Sequence, residues 1–143
     1  MKYHFKVHRQ KQGFWADCVE LKGCHTQANT ESQLLCNLRE TLNLFLDEPA
    51  NSKLIYPLPY KKLKGKNILT VEVDPNIAFA FHLRRTRLKH CLTQREAALA
   101  MGFKNLYSYQ RLENAKTANP ELKTIIQIKR IFPDFSVDEV LAA

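Results

Sequence analysis

The chain has no apolar run approaching the roughly 18 residues that a membrane-spanning helix needs, which excludes an integral helical membrane protein. It also lacks a leader pattern. Its first residues, "MKYHFKVHRQK", alternate charged and apolar side chains instead of giving a basic cap and an apolar stretch, so no secretory signal is visible and a cytoplasmic location is expected. The four cysteines, Cys18, Cys24, Cys36 and Cys91, show no CxxC spacing. That argues against a structural zinc site built with His25, and in a reducing compartment it favours free thiols packed as small apolar groups. His4, His8, His82 and His90 stand in no partner pattern that raises them above surface or core residues.

What remains is an average soluble composition with a basic excess. The 143 residues are 45% hydrophobic and 25% charged, enough for one ordinary core or two small ones. The net charge of +8 divides as 11 basic minus 8 acidic residues over 1–74 and 11 minus 6 over 75–143. A basic surface favours polyanions, but charge alone does not separate DNA from RNA or from an acidic protein.

Tyr3, Phe5 and Val7 fall on one face at period two, and Phe14 to Leu21 is a second run rich in aromatic and β-branched residues. With "QKQG" between them these runs predict a β-hairpin in which Gly13 takes positive φ. Gly23 breaks the chain before a short third strand, Cys24 to Ala28. Thr30 and Gln33 form a capping-box pattern, and Leu34, Leu35, Leu38, Leu42, Phe45 and Leu46 then predict a helix with one apolar stripe, closed before Pro49. Residues 49–66 carry three prolines, five lysines and no acidic residue, the composition of an irregular connection that lets two units move and adds phosphate contacts. "NILTVEV" predicts a fourth strand that rejoins the sheet.

At Asp74-Pro75 the period changes from two to 3.6, so the chain is read as an α+β domain over 1–74 and an all-helical domain over 75–143. A helix is expected from about Asn76 to His90, with Ala80, Leu83, Arg84, Arg87 and Leu88 dividing it into apolar and basic faces. Thr93 caps a second, with Glu96 as its capping-box partner and Gly102 at its end. Asn105 caps a third, which buries Tyr109 and Leu112 and turns Tyr107, Gln110 and Arg111 outward. A fourth follows Asn119-Pro120, burying Leu122, Ile125, Ile126 and Ile128, and Ser136 with Glu139 caps the last.

Small Ala98, then Gly102, then the apolar pair Tyr109 and Leu112 meet the steric needs of two helices that cross steeply. With "LTQREAALAMG" and five helices in order, residues 77–141 resemble the lambda-repressor-like (Cro/C1-type) helix-turn-helix domain. "GFKN" makes the turn one residue longer than usual, so the register of base-reading positions stays open. The resemblance implies that Gln94 contacts a phosphate of double-stranded operator DNA, with Arg95 and Lys104 beside it, and that Asn105, Tyr107, Gln110 and Arg111 face the major groove. A core-forming α-hairpin without DNA binding is the alternative.

The first domain carries "GFWADCVELKGCHTQANTESQLLCNLRETLNLFLDE", which resembles the HicB antitoxin family over residues 1–73. This implies a partial ribonuclease-H-like fold, binding to a HicA-type toxin that cleaves mRNA, and repression of the shared operon by a homodimer or higher oligomer. A sheet with one helix leaves a face or edge for a partner, and alternation places Trp15 and Asp17 on one side as the toxin-binding candidates; for Trp15, core packing is an equal reading. Ribonuclease-H-like folds often hydrolyse nucleic acids through carboxylates holding Mg²⁺. Asp17, Glu20, Glu31 and Glu40 do not form such a strand-borne pair, so no enzymatic activity, catalytic residue, metal or cofactor is expected. The rival function is a stand-alone transcription regulator whose first domain senses a small ligand.

Overall fold

Gly13 shows why the first hairpin closes where it does. Its φ is +93°, and a Cβ added there would lie 2.4 Å from the Ala28 carbonyl oxygen, so neither the conformation nor the space tolerates a side chain. The computed structural model describes residues 1–142. It is a mixed α+β chain in which strands β1 (Lys2–Arg9), β2 (Phe14–Cys18), β3 (His25–Ala28) and β4 (Ile68–Glu72) form one antiparallel sheet in the order β3-β2-β1-β4. Thus the predicted hairpin forms and the fourth strand does rejoin it, beside β1.

Helix α1 (Glu31–Leu46) starts where the Thr30 hydroxyl accepts from the Gln33 backbone N–H, while the Gln33 side chain accepts from the Asn29 N–H. Leu34, Leu38, Leu42 and Leu46 are buried against the sheet, above Tyr3, Phe5, Ala16 and Val71. Each such leucine contributes about 1.5–3 kcal/mol by leaving water. The stripe is narrower than expected. Leu35 is 52% exposed and Phe45 half-buried, because a straight row at i+4 spacing carries only every fourth residue onto the sheet.

The chain divides into two compact units: residues 1–46 with 56–74, and residues 47–55 with 75–142. The second contains α2 (Pro75–Lys89), α3 (Gln94–Ala100), α4 (Leu106–Gln110), α5 (Leu122–Ile131) and α6 (Val137–Leu141). Its core joins Phe79, Leu83, Ala97, Ala98, Tyr109, Ile128, Phe132 and Phe135. Here α2 departs from the amphipathic expectation. Nine of its 15 residues are buried, among them Arg84 and Arg87, so its basic face is internal. Helix α5 also begins later than Asn119-Pro120 and covers less: Ile128 is buried, whereas Leu122 and Ile126 are 74% and 44% exposed. Among the described residues no helix is long and apolar enough to cross a membrane.

A candidate nucleic-acid interface and an open sheet face

In α3 the capping box is complete. Thr93 accepts from the Glu96 N–H at 3.2 Å, and the Glu96 carboxylate accepts from the Thr93 N–H at 2.7 Å, which lowers the Glu96 pKa. The helix ends in a Schellman arrangement, with the Gly102 N–H donating to the Leu99 carbonyl and the Phe103 N–H to the Ala98 carbonyl, and with φ of +71° at Gly102. After Lys104, Asn105 caps α4 by accepting from both the backbone N–H and the hydroxyl of Ser108. The "GFKN" turn therefore lies between a completed helix end and a new cap. Ala97 and Ala98 are buried where α3 meets α4, and Tyr109 and Leu112 fill the other side of the crossing.

The outer surface of the pair is polar and basic. Arg95, Lys104, Asn105, Tyr107 and Arg111 are exposed, and the Arg111 guanidinium lies 6.0 Å from the centre of the Tyr107 ring. The Asn105 side chain, expected to face outward, has its amide oxygen occupied by its cap. Gln94 and Gln110 are half-buried and bonded to each other, Gln110 Nε2 donating to Gln94 Oε1 at 3.3 Å.

Beneath them lies a network that the sequence did not disclose. The Glu113 carboxylate, 1% exposed, accepts from Arg87 Nε at 2.6 Å, Arg87 Nη2 at 3.0 Å, the Tyr109 hydroxyl at 2.7 Å and Gln94 Nε2 at 3.0 Å. Burial opposes the charge on Arg87, and the bonds to Glu113 more than offset it, so the Arg87 pKa is raised. Burial and then Glu113 push the Tyr109 phenol up, keeping it a donor. Gln94 is thus held from the core side. No sequence signal marks Arg87 and Glu113 as partners, since they are 26 positions apart on different helices.

On the sheet, α1 covers the face of Tyr3, Phe5, Ala16 and Cys18. Strand register places Lys6, His8, Trp15, Asp17, His25 and Gln27 on the opposite one. Trp15 and Asp17 share a side, as alternation requires, and His8 joins them: its ring stacks on Trp15 with centres 3.9 Å apart, and its Nε2 lies 2.8 Å from Asp17 Oδ1. Trp15 is half-buried and not part of the core. Its flat neighbour makes a rigid aromatic surface with a partly exposed carboxylate at its edge.

The other candidate carboxylates are dispersed. Glu20 is buried beside His4, with 2.5 Å between Oε1 and His4 Nδ1, while Glu31 and Glu40 are exposed on α1. Cys18 and Cys24 are buried, and their proximity raises the first thiol and lowers the second, while Cys18 Sγ donates to Glu20 Oε2 at 3.5 Å; Cys36 and Cys91 are exposed, and all four thiols are free. No family model matches the chain, and no curated protein matches it.

Proposed function

We propose that the chain is an antitoxin of the HicB type: its sheet unit binds and neutralises a small basic RNA-cleaving protein, and its helical unit represses the operon by binding double-stranded operator DNA. The observation that carries this reading is the α3–α4 pair, in which side-chain caps and buried Ala98 and Tyr109 leave Arg95, Lys104, Tyr107 and Arg111 exposed. A helix seated against a crossing neighbour is how helix-turn-helix units present side chains to base edges in the major groove. The His8–Trp15–Asp17 cluster supports the other half, because a seated aromatic beside a carboxylate suits a basic partner. The molecule acts without a cofactor and without catalysis of its own. It works as a homodimer or larger, since one module of this size reads too few bases for a specific site.

The test is co-expression with the product of an adjacent short open reading frame. Rescue of growth and a stable complex are expected. Trp15→Asp removes both while the chain keeps its helical circular dichroism. A folded Trp15→Asp chain that still protects cells moves the interface elsewhere; failure of the wild type to protect or to bind sinks the antitoxin reading.

A further inference from the structure

Residues 47–55 form a strap that belongs to the helical unit. Its start is tied down by Arg84, whose Nη1 donates to the Glu48 carbonyl at 2.9 Å from a guanidinium that is otherwise deep in the core. A turn follows, with the Ser52 N–H on the Pro49 carbonyl and the Leu54 N–H on the Ser52 hydroxyl. The strap thereby borders two grooves, and Ala50 lines both.

Their electrostatics differ. The first, about 520 Å³, brings Asp47 and Glu48 to Gln110, Arg111 and Lys116, so acids and bases face each other. The second, about 640 Å³, has no carboxylate among its lining residues and sets Lys53, Arg87 and Arg95 beside the apolar Ile55, Leu88 and Leu92. Arg87 is neutralised by Glu113, while Lys53 and Arg95 are exposed and ion-paired with nothing among the described residues. A groove with two unneutralised cations, the Ser52 hydroxyl and no acid is complementary to a chain of phosphates.

We infer that the strap is part of the DNA-binding surface, with Lys53 and Arg95 gripping one phosphate-bearing strand of duplex DNA along this second groove. This rests on the DNA-binding reading of the helical unit. It assigns the contact to Lys53 alone among the lysines of residues 49–66, because 56–66 belong to the other unit.

The experiment measures binding of the full chain to a labelled mixed-sequence duplex of about 30 base pairs over a series of salt concentrations. Each phosphate contact contributes roughly 0.9 to the slope of log K against log salt. Lys53→Ala is expected to reduce the slope by about 0.9, and Lys53→Ala with Arg95→Ala by about 1.8, while Arg130→Ala, which lines neither groove, leaves it unchanged. Since Lys53 and Arg95 are exposed, these variants keep the fold, and circular dichroism checks it. A wild-type chain that binds with a slope Lys53→Ala does not alter overturns the strap contact and leaves the DNA reading standing. A wild-type chain that does not bind duplex DNA overturns that reading itself. Loss of inorganic phosphate binding in Lys53→Ala with duplex binding intact makes the groove a small-anion site and overturns the inference.

Discussion

Replacing Glu113 by alanine is expected to destabilise the helical unit far more than its single charge suggests. Four hydrogen bonds converge on its carboxylate, from Arg87 twice, Tyr109 and Gln94, and the side chains of Arg87 and Glu113 are only 5% and 1% exposed. Removing one member of a buried pair costs about 3–5 kcal/mol, because the other charge is left desolvated and uncompensated. The stranded Tyr109 hydroxyl adds on the order of 1 kcal/mol. A loss of about 4–6 kcal/mol would consume much of a typical domain stability of roughly 5–15 kcal/mol. Arg87→Met is expected to cost about 3 kcal/mol, since Glu113 keeps Tyr109 and Gln94 as donors. The double variant Arg87→Met with Glu113→Leu removes both charges and should recover to within about 2 kcal/mol of wild type. Urea unfolding followed by far-ultraviolet circular dichroism measures the helices, and fluorescence of Trp15, the chain's one tryptophan, follows the sheet unit separately. A Glu113→Ala loss below about 1 kcal/mol, or a double variant no more stable than Arg87→Met alone, would refute the pairing as the source of stability.

Other perturbations test other parts. Gly13→Ala should cost the sheet unit at least about 2 kcal/mol, since it meets both positive φ and the Ala28 carbonyl, whereas Gly23→Ala, with φ of +90° and nothing within 4 Å, should cost about 1 kcal/mol; equal effects in Trp15-monitored unfolding would refute the close approach. Burial, and then the charge of Arg85, hold the His82 imidazole down to about 4 from 6.5. The unfolded chain then takes up a proton that the folded one refuses, so this contribution is full above about pH 6.5 and is lost as pH falls towards 4, by about 3 kcal/mol in all. His82→Gln should flatten the decline, and parallel stability curves for the two proteins would exclude His82 as its cause. On operator DNA, Arg111→Ala should weaken binding and broaden the sites accepted by about 1–3 kcal/mol of discrimination, while Gln94→Ala weakens all sequences alike. Gel shifts with equal affinities for wild type and Arg111→Ala would remove that assignment.

Local rules made much of the fold legible. Period two and the four-residue turn placed the hairpin, and Thr93, Gly102, Asn105 and Ser136 marked helix ends by chemistry that acts within four residues. Burial along α5 was not legible, because apolar character does not say which isoleucines meet a core and which, like Ile126, face water. Nor was the fate of Arg84 and Arg87, which look like a solvated basic face until the distant Glu48 carbonyl and Glu113 carboxylate come into contact with them. His8 was within reach. A turn that sets Arg9 opposite Phe14 necessarily sets His8 opposite Trp15, so hairpin arithmetic would have tied the histidine to the aromatic and carboxylate that alternation had already paired.

The strap also governs how the molecule can be taken apart. The chain leaves the sheet unit after Leu46, spends 47–55 with the helices, returns for β4 and leaves again after Asp74. A cut at that last junction therefore yields no intact half. A fragment of 75–143 would take Arg84 without the Glu48 carbonyl, leaving Nη1 stranded beside an Nη2 that already has no partner. A fragment of 1–74 would carry a nine-residue excursion with nothing to lie on. The two units are better probed by surface substitution in the full chain than by truncation.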